Sequence, residues 1–391
     1  MKLSGECDSV SWSRPHAPEK IPPVMARRLS IVTSALGAGG AERVISLLAR
    51  HWVERGWEVT IITFDRPGDP VYHPLPEAVA LVRLGLPAGA LAVARRACAL
   101  RGALKRERPD VAIGFLTKIN VLTLLATMRT GIPVLVSERN NPLRQGAHPA
   151  WNRALRLLYR RADAIVCQTA ASVACLPAEV RDRVRVIANP IVPPEAAPAH
   201  RAHKLVAAGR LTEQKGFDLL IEAFARIADR HPRWTLDIWG EGGERRALQA
   251  IIDARGLAAR IRLPGVSARP GGWAEGASAF VLSSRYEGFA NVLGEAMALG
   301  LPAIAFDCDF GPSELVRDEQ DGLLVPAEDV AALAEGLDRL LGDAPLRARL
   351  GEAAKSAARA FDVRRIAGQW DVVIERLWAY RHARPADGQD R

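Results

Sequence analysis

Apolar residues along this chain fall into short unbroken runs that alternate with longer stretches of helical spacing. Leu29–Thr33, Glu58–Phe64, Val79–Leu84, Val111–Phe115 and Val134–Ser137 have the length and composition of strands. Between the first two, Val44, Leu47, Leu48 and Val53 form one face of a helix over Ala41–Arg55. Further helices are predicted over Ala88–Glu107 and about Asn120–Met128, and further strands over Ala164–Gln168 and Arg185–Asn189. A strand, a glycine loop, a helix and a second strand open a doubly wound α/β domain.

Pro190–His200 is rich in Pro and Ala and reads as a linker, after which the pattern restarts. Strands are predicted at Leu205–Ala208, Thr235–Trp239, Ile261–Leu263, Ala279–Leu282, Ala303–Phe306 and Leu323–Pro326. Helices are predicted at Phe217–Arg230, Glu244–Arg255, from Val330 onward and at about Arg364–Arg381. The expected organisation is an extension at 1–26, a first Rossmann-like domain at 27–190, a linker at 191–203, a second Rossmann-like domain at 204–363 and a terminal helix and tail at 364–391. A length of 391 residues agrees with two cores.

The densest chemistry lies in SSRYEGFANVLGEAMALGLP, Ser283–Pro302. A polar loop follows the strand Ala279–Leu282, and a helix opens near Gly288–Asn291. Gly300 and Pro302 end it. A helix N-terminus offers free amides and partial positive charge to a phosphate. Glu287 precedes it and Glu295 lies one turn inside. Carboxylates there accept hydrogen bonds from sugar hydroxyls while the amides hold phosphate. Arg210 and Lys215 share one glycine-flanked loop after Leu205–Ala208, and both loops leave the C-terminal ends of strands in one sheet. Two cations and two acids facing one crevice suit a diphosphate bearing hydroxyls.

Other readings lose ground on particular residues. G-x-G-x-x-G from Gly37 requires glycine at the position of Glu42, so the dinucleotide fingerprint is broken, although Gly39 and Gly40 still permit close approach of a ligand to the backbone. Asp307-Cys308-Asp309 spells D-x-D, yet no metal is expected there. The formal net charge of +9 favours an anionic partner. The basic residues are spread over several helices with few aromatics between them, which argues against nucleic acid. Trp151–Arg161 is basic and amphipathic, and an anionic membrane surface is one expectation for it. Five scattered cysteines without a CxxC pair fit a reducing compartment. The apolar runs fall short of a membrane span, and residues 1–26 lack the apolar core of a secretory signal, so a cytoplasmic location is expected, peripheral on the inner face of the membrane.

EGFANVLGEAMALGLP and the Gly-Arg-Leu…Lys-Gly of 209–216 resemble the signatures of glycosyltransferase family 4, with Ala290 where proline is usual. Ser137-Glu138-Arg139-Asn140 resembles the form found in lipid-linked oligosaccharide and exopolysaccharide transferases, with Arg139 near where many members carry histidine. The resemblance covers about residues 28–380. It implies a GT-B fold: two Rossmann-like domains around a crevice, with the last helix crossing back onto the first. It implies a retaining, metal-independent transfer from a nucleotide-sugar, with UDP expected, to a glycan or polyprenyl-diphosphate-linked acceptor. Arg210 and Lys215 would neutralise the leaving diphosphate, and Glu287 would contact the transferred sugar. Glu295 would hold the ribose, amides from Gly288 through Phe289, Ala290, Asn291, Val292 and Leu293 would meet the phosphates, and Gly265 and Val266 would bracket the base. Arg139, Gly39 and Gly40 would lie on the acceptor side. A sugar-nucleotide epimerase of the same architecture is the alternative enzyme, and its own acidic and histidine motifs are not evident in the chain.

Overall fold

The computed structural model describes residues 27–87, 89, 92–139, 149–194 and 203–383. The first half supplies β1 (Arg28–Val32), β2 (Glu58–Thr63), β3 (Ala80–Arg83), β4 (Val111–Phe115), β5 (Val134–Ser137), β6 (Ala164–Cys167) and β7 (Val184–Val186). They form one parallel sheet in the order β3-β2-β1-β4-β5-β6-β7. The second half supplies β8 (Lys204–Ala208), β9 (Thr235–Trp239), β10 (Ile261–Gly265), β11 (Ala279–Leu282), β12 (Ala303–Asp307) and β13 (Leu323–Pro326). They form a second parallel sheet, β10-β9-β8-β11-β12-β13. Inner strands such as β4 and β11 are fully buried apolar runs because parallel sheets are covered on both faces, whereas the edge strands β3 and β10 carry exposed positions.

In each sheet the order reverses beside the first strand of its half, and loops at that point open a crevice beyond the C-terminal strand ends. The first-half helices are α1 (Gly40–Glu54), α2 (Val93–Glu107), α3 (Thr117–Ala126), α4 (Pro149–Leu158) and the short α5 (Ala170–Val173). The second half adds α6 (Phe217–Ala225), α7 (Arg245–Ala254), α8 (Asn291–Ala298), the short α9 (Pro312–Leu315), α10 (Val330–Gly342) and α11 (Ala344–Ala358). Helix α12 (Val363–Ala383) returns to the first sheet, where Ile366, Trp370, Ile374 and Leu377 join the core of Leu29, Ile31, Trp52 and Phe115.

The chain crosses between the halves twice, and the crossings are tied by a 2.9 Å bond from Ile191 N to Phe361 O. Asp371 on α12 accepts from His51 Nε2 and Trp52 Nε1 of α1, each at 2.9 Å. Helix α6 ends five residues before the predicted Arg230. Beyond Ala225 the chain tightens into turns in which Ile227 N bonds Phe224 O and Arg230 N bonds Ile227 O, both at 3.1 Å, and this keeps Ile227 and Ala228 buried. Helix α3 starts three residues before the predicted Asn120, at Thr117, after Leu116 with φ 76°.

The amphipathic segment Trp151–Arg161 uses its apolar stripe on its own domain. Leu155 and Tyr159 are buried with Leu124, Val136 and Ile165, while Arg153, Arg156, Leu157, Arg160 and Arg161 face outward. The membrane expectation thereby loses most of its apolar half. The side chain of Trp151 lies outside the described residues, as do residues 1–26, Asn140 and most of the predicted linker. Among the described residues no helix is long and apolar enough to cross a membrane.

Candidate active site

The crevice between the two sheets encloses about 560 Å³. Its second-half wall is built from two loops and one helix end. The loop after β8 carries Arg210, which is exposed, and Lys215. Gly216 follows at φ +59, and a Cβ there would lie 2.1 Å from Ser283 O, so only glycine lets this loop press against the loop after β11. Ser283 Oγ closes that contact by donating to Lys215 O at 3.0 Å.

Glu287 sits in the second loop, 6% exposed. Lys215 Nζ reaches its Oε1 at 2.5 Å, and Ser284 Oγ donates to the same oxygen at 2.6 Å. The Glu287 backbone N–H donates to Asp309 O at 3.2 Å. Asp307-Cys308-Asp309 therefore supports the acid loop through its backbone, and burial beside Glu287 pushes the Cys308 thiol up to about 12. Among the described residues no cluster of three or more His, Cys, Asp or Glu side chains is arranged to hold a metal ion.

Glu295, one turn into α8, is also buried, and burial raises its carboxyl above the ordinary range. Arg43 Nε of α1, across the crevice, pairs with it at 2.9 Å, and Trp273 hydrogen-bonds it. Arg43 Nη2 also donates to Val192 O at 3.0 Å. Beside Arg43, burial lowers the His73 imidazole to about 4, so it is neutral at physiological pH. The Tyr72 hydroxyl donates to Ser267 O at 2.9 Å, a further contact between the halves. Glu42 lines the same wall, with its carboxyl raised by burial and partly held down by Arg210.

At the end of β5, Glu138 is buried beneath the crevice. Its carboxyl is pushed up to about 7 by burial, against hydrogen bonds from Thr117 and Asn120. Arg139 is 6% exposed, and burial lowers it to about 9, where it is still a cation at neutral pH. Its guanidinium lies 4.8 Å from the Phe115 ring centre and 5.3 Å from that of Trp370.

The structure brings Arg210, Lys215, Glu287, Gly288, Phe289, Ala290, Asn291, Val292 and Glu295 to one crevice, with Gly39, Gly40 and Arg139 opposite. Three expected positions depart from it. Leu293 is fully buried in the core beneath α8, and its N–H is taken by Ala290 O at 3.0 Å. Gly265 and Val266 lie outside the lining, with Val266 51% exposed, and Pro270, Gly271 and Trp273 line that end instead. The Asn291 N–H is likewise taken, by Phe289 O at 2.7 Å.

Gly40 has a use beyond the one expected. A Cβ there would lie 2.3 Å from Asn291 Nδ2, so its bareness also admits α8 of the other half at the edge of the crevice. Gly40→Ala should therefore hold the crevice ajar and lower kcat/KM by roughly tenfold while the unfolding midpoint stays near wild type. Wild-type kinetics in that variant would show that the close approach has no role in turnover.

Two parallel-sheet domains facing one another across a crevice, with a terminal helix returning to the first, define the GT-B architecture. Two family models match in succession: a glycosyl transferase 4-like domain over residues 39–192 and glycosyl transferases group 1 over 193–357. The chain belongs to this glycosyltransferase family and is an enzyme of that class. It is 26% identical over 354 residues to a Campylobacter jejuni N-acetylgalactosaminyltransferase named for an undecaprenol-diphosphate-linked substrate, covering 88% of this chain and 97% of that one. It is 37% identical over 190 residues to a Streptomyces coelicolor exopolysaccharide phosphotransferase, covering 48% of this chain but 20% of that protein. Among solved structures, sucrose-phosphate synthase of Thermosynechococcus elongatus superposes with TM-score 0.78 at 21% identity, covering 90% of this chain and all of that one. Anabaena HepE in complex with UDP and glucose gives 0.73 at 20%, covering 89% and 99%.

Glu42, Arg43, Tyr72, His73, Asn189 and Trp273 also line the crevice and were not among the expected site residues. Glu42 and Arg43 were the findable pair, since polar residues in the first turn after a glycine loop at a switch point face the crevice.

Proposed function

We propose that the chain transfers a sugar from a UDP-sugar, with retention of configuration, to a polyprenyl-diphosphate-linked saccharide or polysaccharide precursor in bacterial cell-surface glycan synthesis. The observation that carries this reading is the second-half wall, where Arg210, the Lys215–Glu287 pair and the mouth of α8 adjoin the buried Glu295. Arg210 and Lys215 place positive charge where a leaving diphosphate gains negative charge. The bond from the anomeric carbon to the phosphate breaks, and the acceptor oxygen bonds that carbon on the same face. The acceptor proton passes to the leaving phosphate. Glu287 contacts the transferred sugar and Glu295 the ribose. Arg139 lies on the acceptor side as a buried cation that acts there through its charge and its partners and not through a direct contact.

UDP in the HepE complex and the undecaprenol-diphosphate substrate in the Campylobacter relative's name support the choice of donor and acceptor. The outward arginines of α4 with Leu157 suit the anionic inner face of a membrane carrying such an acceptor. The resident cations fill the electrostatic role that a metal fills elsewhere, so the proposed transfer is metal-independent.

Thermal unfolding with UDP, GDP, ADP and NAD, with and without EDTA, tests the donor. UDP alone should raise the midpoint, by mass action on the folded state, and EDTA should leave the shift intact. A shift with GDP or ADP instead would change the donor, and a shift abolished by EDTA would end the metal-independent reading.

A further inference from the structure

Arg139 has donors and no acceptor. Whichever atom of the Asn189 amide it meets must therefore be the oxygen. Asn189 is 1% exposed, and its Oδ1 accepts from Arg139 Nη1. That leaves Asn189 Nδ2 to donate to Asn291 Oδ1, at 2.5 Å. Asn291, the first residue of α8, is then obliged to turn its own Nδ2 away, over Gly40 on the opposite wall. A shape-symmetric amide can sit either way round. Here one buried guanidinium, packed against Phe115 and Trp370, sets the orientation of two amides in series. The relay runs from the end of β5, through the crossing segment, to the helix end that faces the crevice, and Arg139, Asn189, Gly40 and Asn291 all line that crevice.

We propose that Asn189 is a positioning residue that fixes the sign of the crevice at the mouth of α8. Through it, Arg139 makes Asn291 present an amide N–H₂, and not a carbonyl oxygen, to the diphosphate of the donor. The inference rests on the nucleotide-sugar reading above. It also explains why an arginine so deeply buried can matter to a ligand beyond the reach of its own unpartnered Nε and Nη2, which are sealed from solvent.

The decisive variant is N189D. The introduced carboxylate keeps the Arg139 contact, but its remaining oxygen can only accept, so the Asn291 amide must reverse and turn its oxygen to the crevice. Affinity is measured by calorimetry for UDP and for uridine, which has no phosphate. N189D should weaken UDP by roughly tenfold to a hundredfold and leave uridine unchanged. In an N291A background the same substitution should cost nothing further. Should N189D fail to fold, N291D reads the same point, because it keeps an acceptor for Asn189 and turns an anionic oxygen to the phosphate. A wild-type ratio of UDP to uridine affinity in N189D or N291D, or losses for N189D and N291A that multiply, would overturn the relay. Wild-type protein that binds none of UDP, GDP or ADP would overturn the donor reading and the relay with it. Tight wild-type UDP binding with an unchanged ratio in the variants would overturn the relay alone.

Discussion

Lys215→Met should lower kcat/KM by roughly 10²–10³-fold, the cost of removing one preorganised donor from developing negative charge. The methionine stem keeps the shape of the lysine and removes only the ammonium. Lys215 lies where the loop after β8 meets the loop after β11, with its ammonium 2.5 Å from Glu287 Oε1. Its loss leaves a carboxylate that is 6% exposed with only the Ser284 hydroxyl on the same oxygen. Breaking a buried pair in this way costs about 3 kcal/mol of stability. The catalytic and structural effects separate in Glu287→Gln, which keeps the shape and still accepts from Lys215. That variant leaves the Lys215 ammonium hydrogen-bonded but without a counter-charge, so it should lose less stability than Lys215→Met and be inactive. Combining it with Lys215→Met should recover the lost stability and none of the activity. Lys215→Met enzyme with kcat/KM within a factor of about three of wild type would remove Lys215 from the chemistry.

How much of this was legible in the sequence depends on how local each feature is. Strands β4 and β11 are continuous apolar runs, and a run buried on both faces announces itself without knowledge of its neighbours. The second-half wall of the crevice was legible for a related reason. Arg210, Lys215, Glu287 and Glu295 belong to strand-to-helix loops, or the turn after one, and such loops in a parallel sheet face one side. The opposite wall was legible only in part, at Gly39, Gly40 and Arg139, and the pairings across the crevice were not. Arg43 meets Glu295 across 252 positions of sequence, and Asn189 meets Asn291 across 102. Nothing periodic marks either pair. Tyr72 and His73 come from a proline-rich stretch whose path is set by contacts alone.

The departures have equally physical causes. An amphipathic stripe such as Leu155 and Tyr159 reads the same whether it meets lipid or its own domain, and here its own domain had room for it. Leu293 was placed among phosphate-facing amides by the family resemblance, yet helical bonding claimed its N–H and the core claimed its side chain. Gly40 was read as room for a ligand, and Asn291 of the other half also comes close there. A glycine in sequence announces a close approach without naming what approaches.

The largest effect on stability is expected from Trp370→Ala, at about 3–5 kcal/mol, the range for emptying an aromatic site in a packed core. Trp370 is fully buried, stacks on Phe115 at 5.8 Å with 9° between the planes, and meets Trp52 edge-on at 6.4 Å. It lies on α12, which follows the second half of the chain and packs on the first, so its loss loosens the tie between the two halves as well as one core. The Arg139 guanidinium beside it loses one of its two aromatic faces. Trp370→Phe separates volume from polarity. Phenylalanine keeps an aromatic face against Phe115 and removes an indole N–H that is buried without a partner, and removing such an orphan offsets part of the lost packing. Trp370→Phe should therefore cost less than about 1.5 kcal/mol. Urea unfolding followed by far-UV circular dichroism checks both variants. If Trp370→Ala cost less than about 1 kcal/mol, α12 would be a passive covering of the first sheet rather than part of its core. If Trp370→Phe cost as much as Trp370→Ala, the indole N–H would have a partner, and Arg139 would then be held by a hydrogen-bonded frame instead of two apolar ring faces.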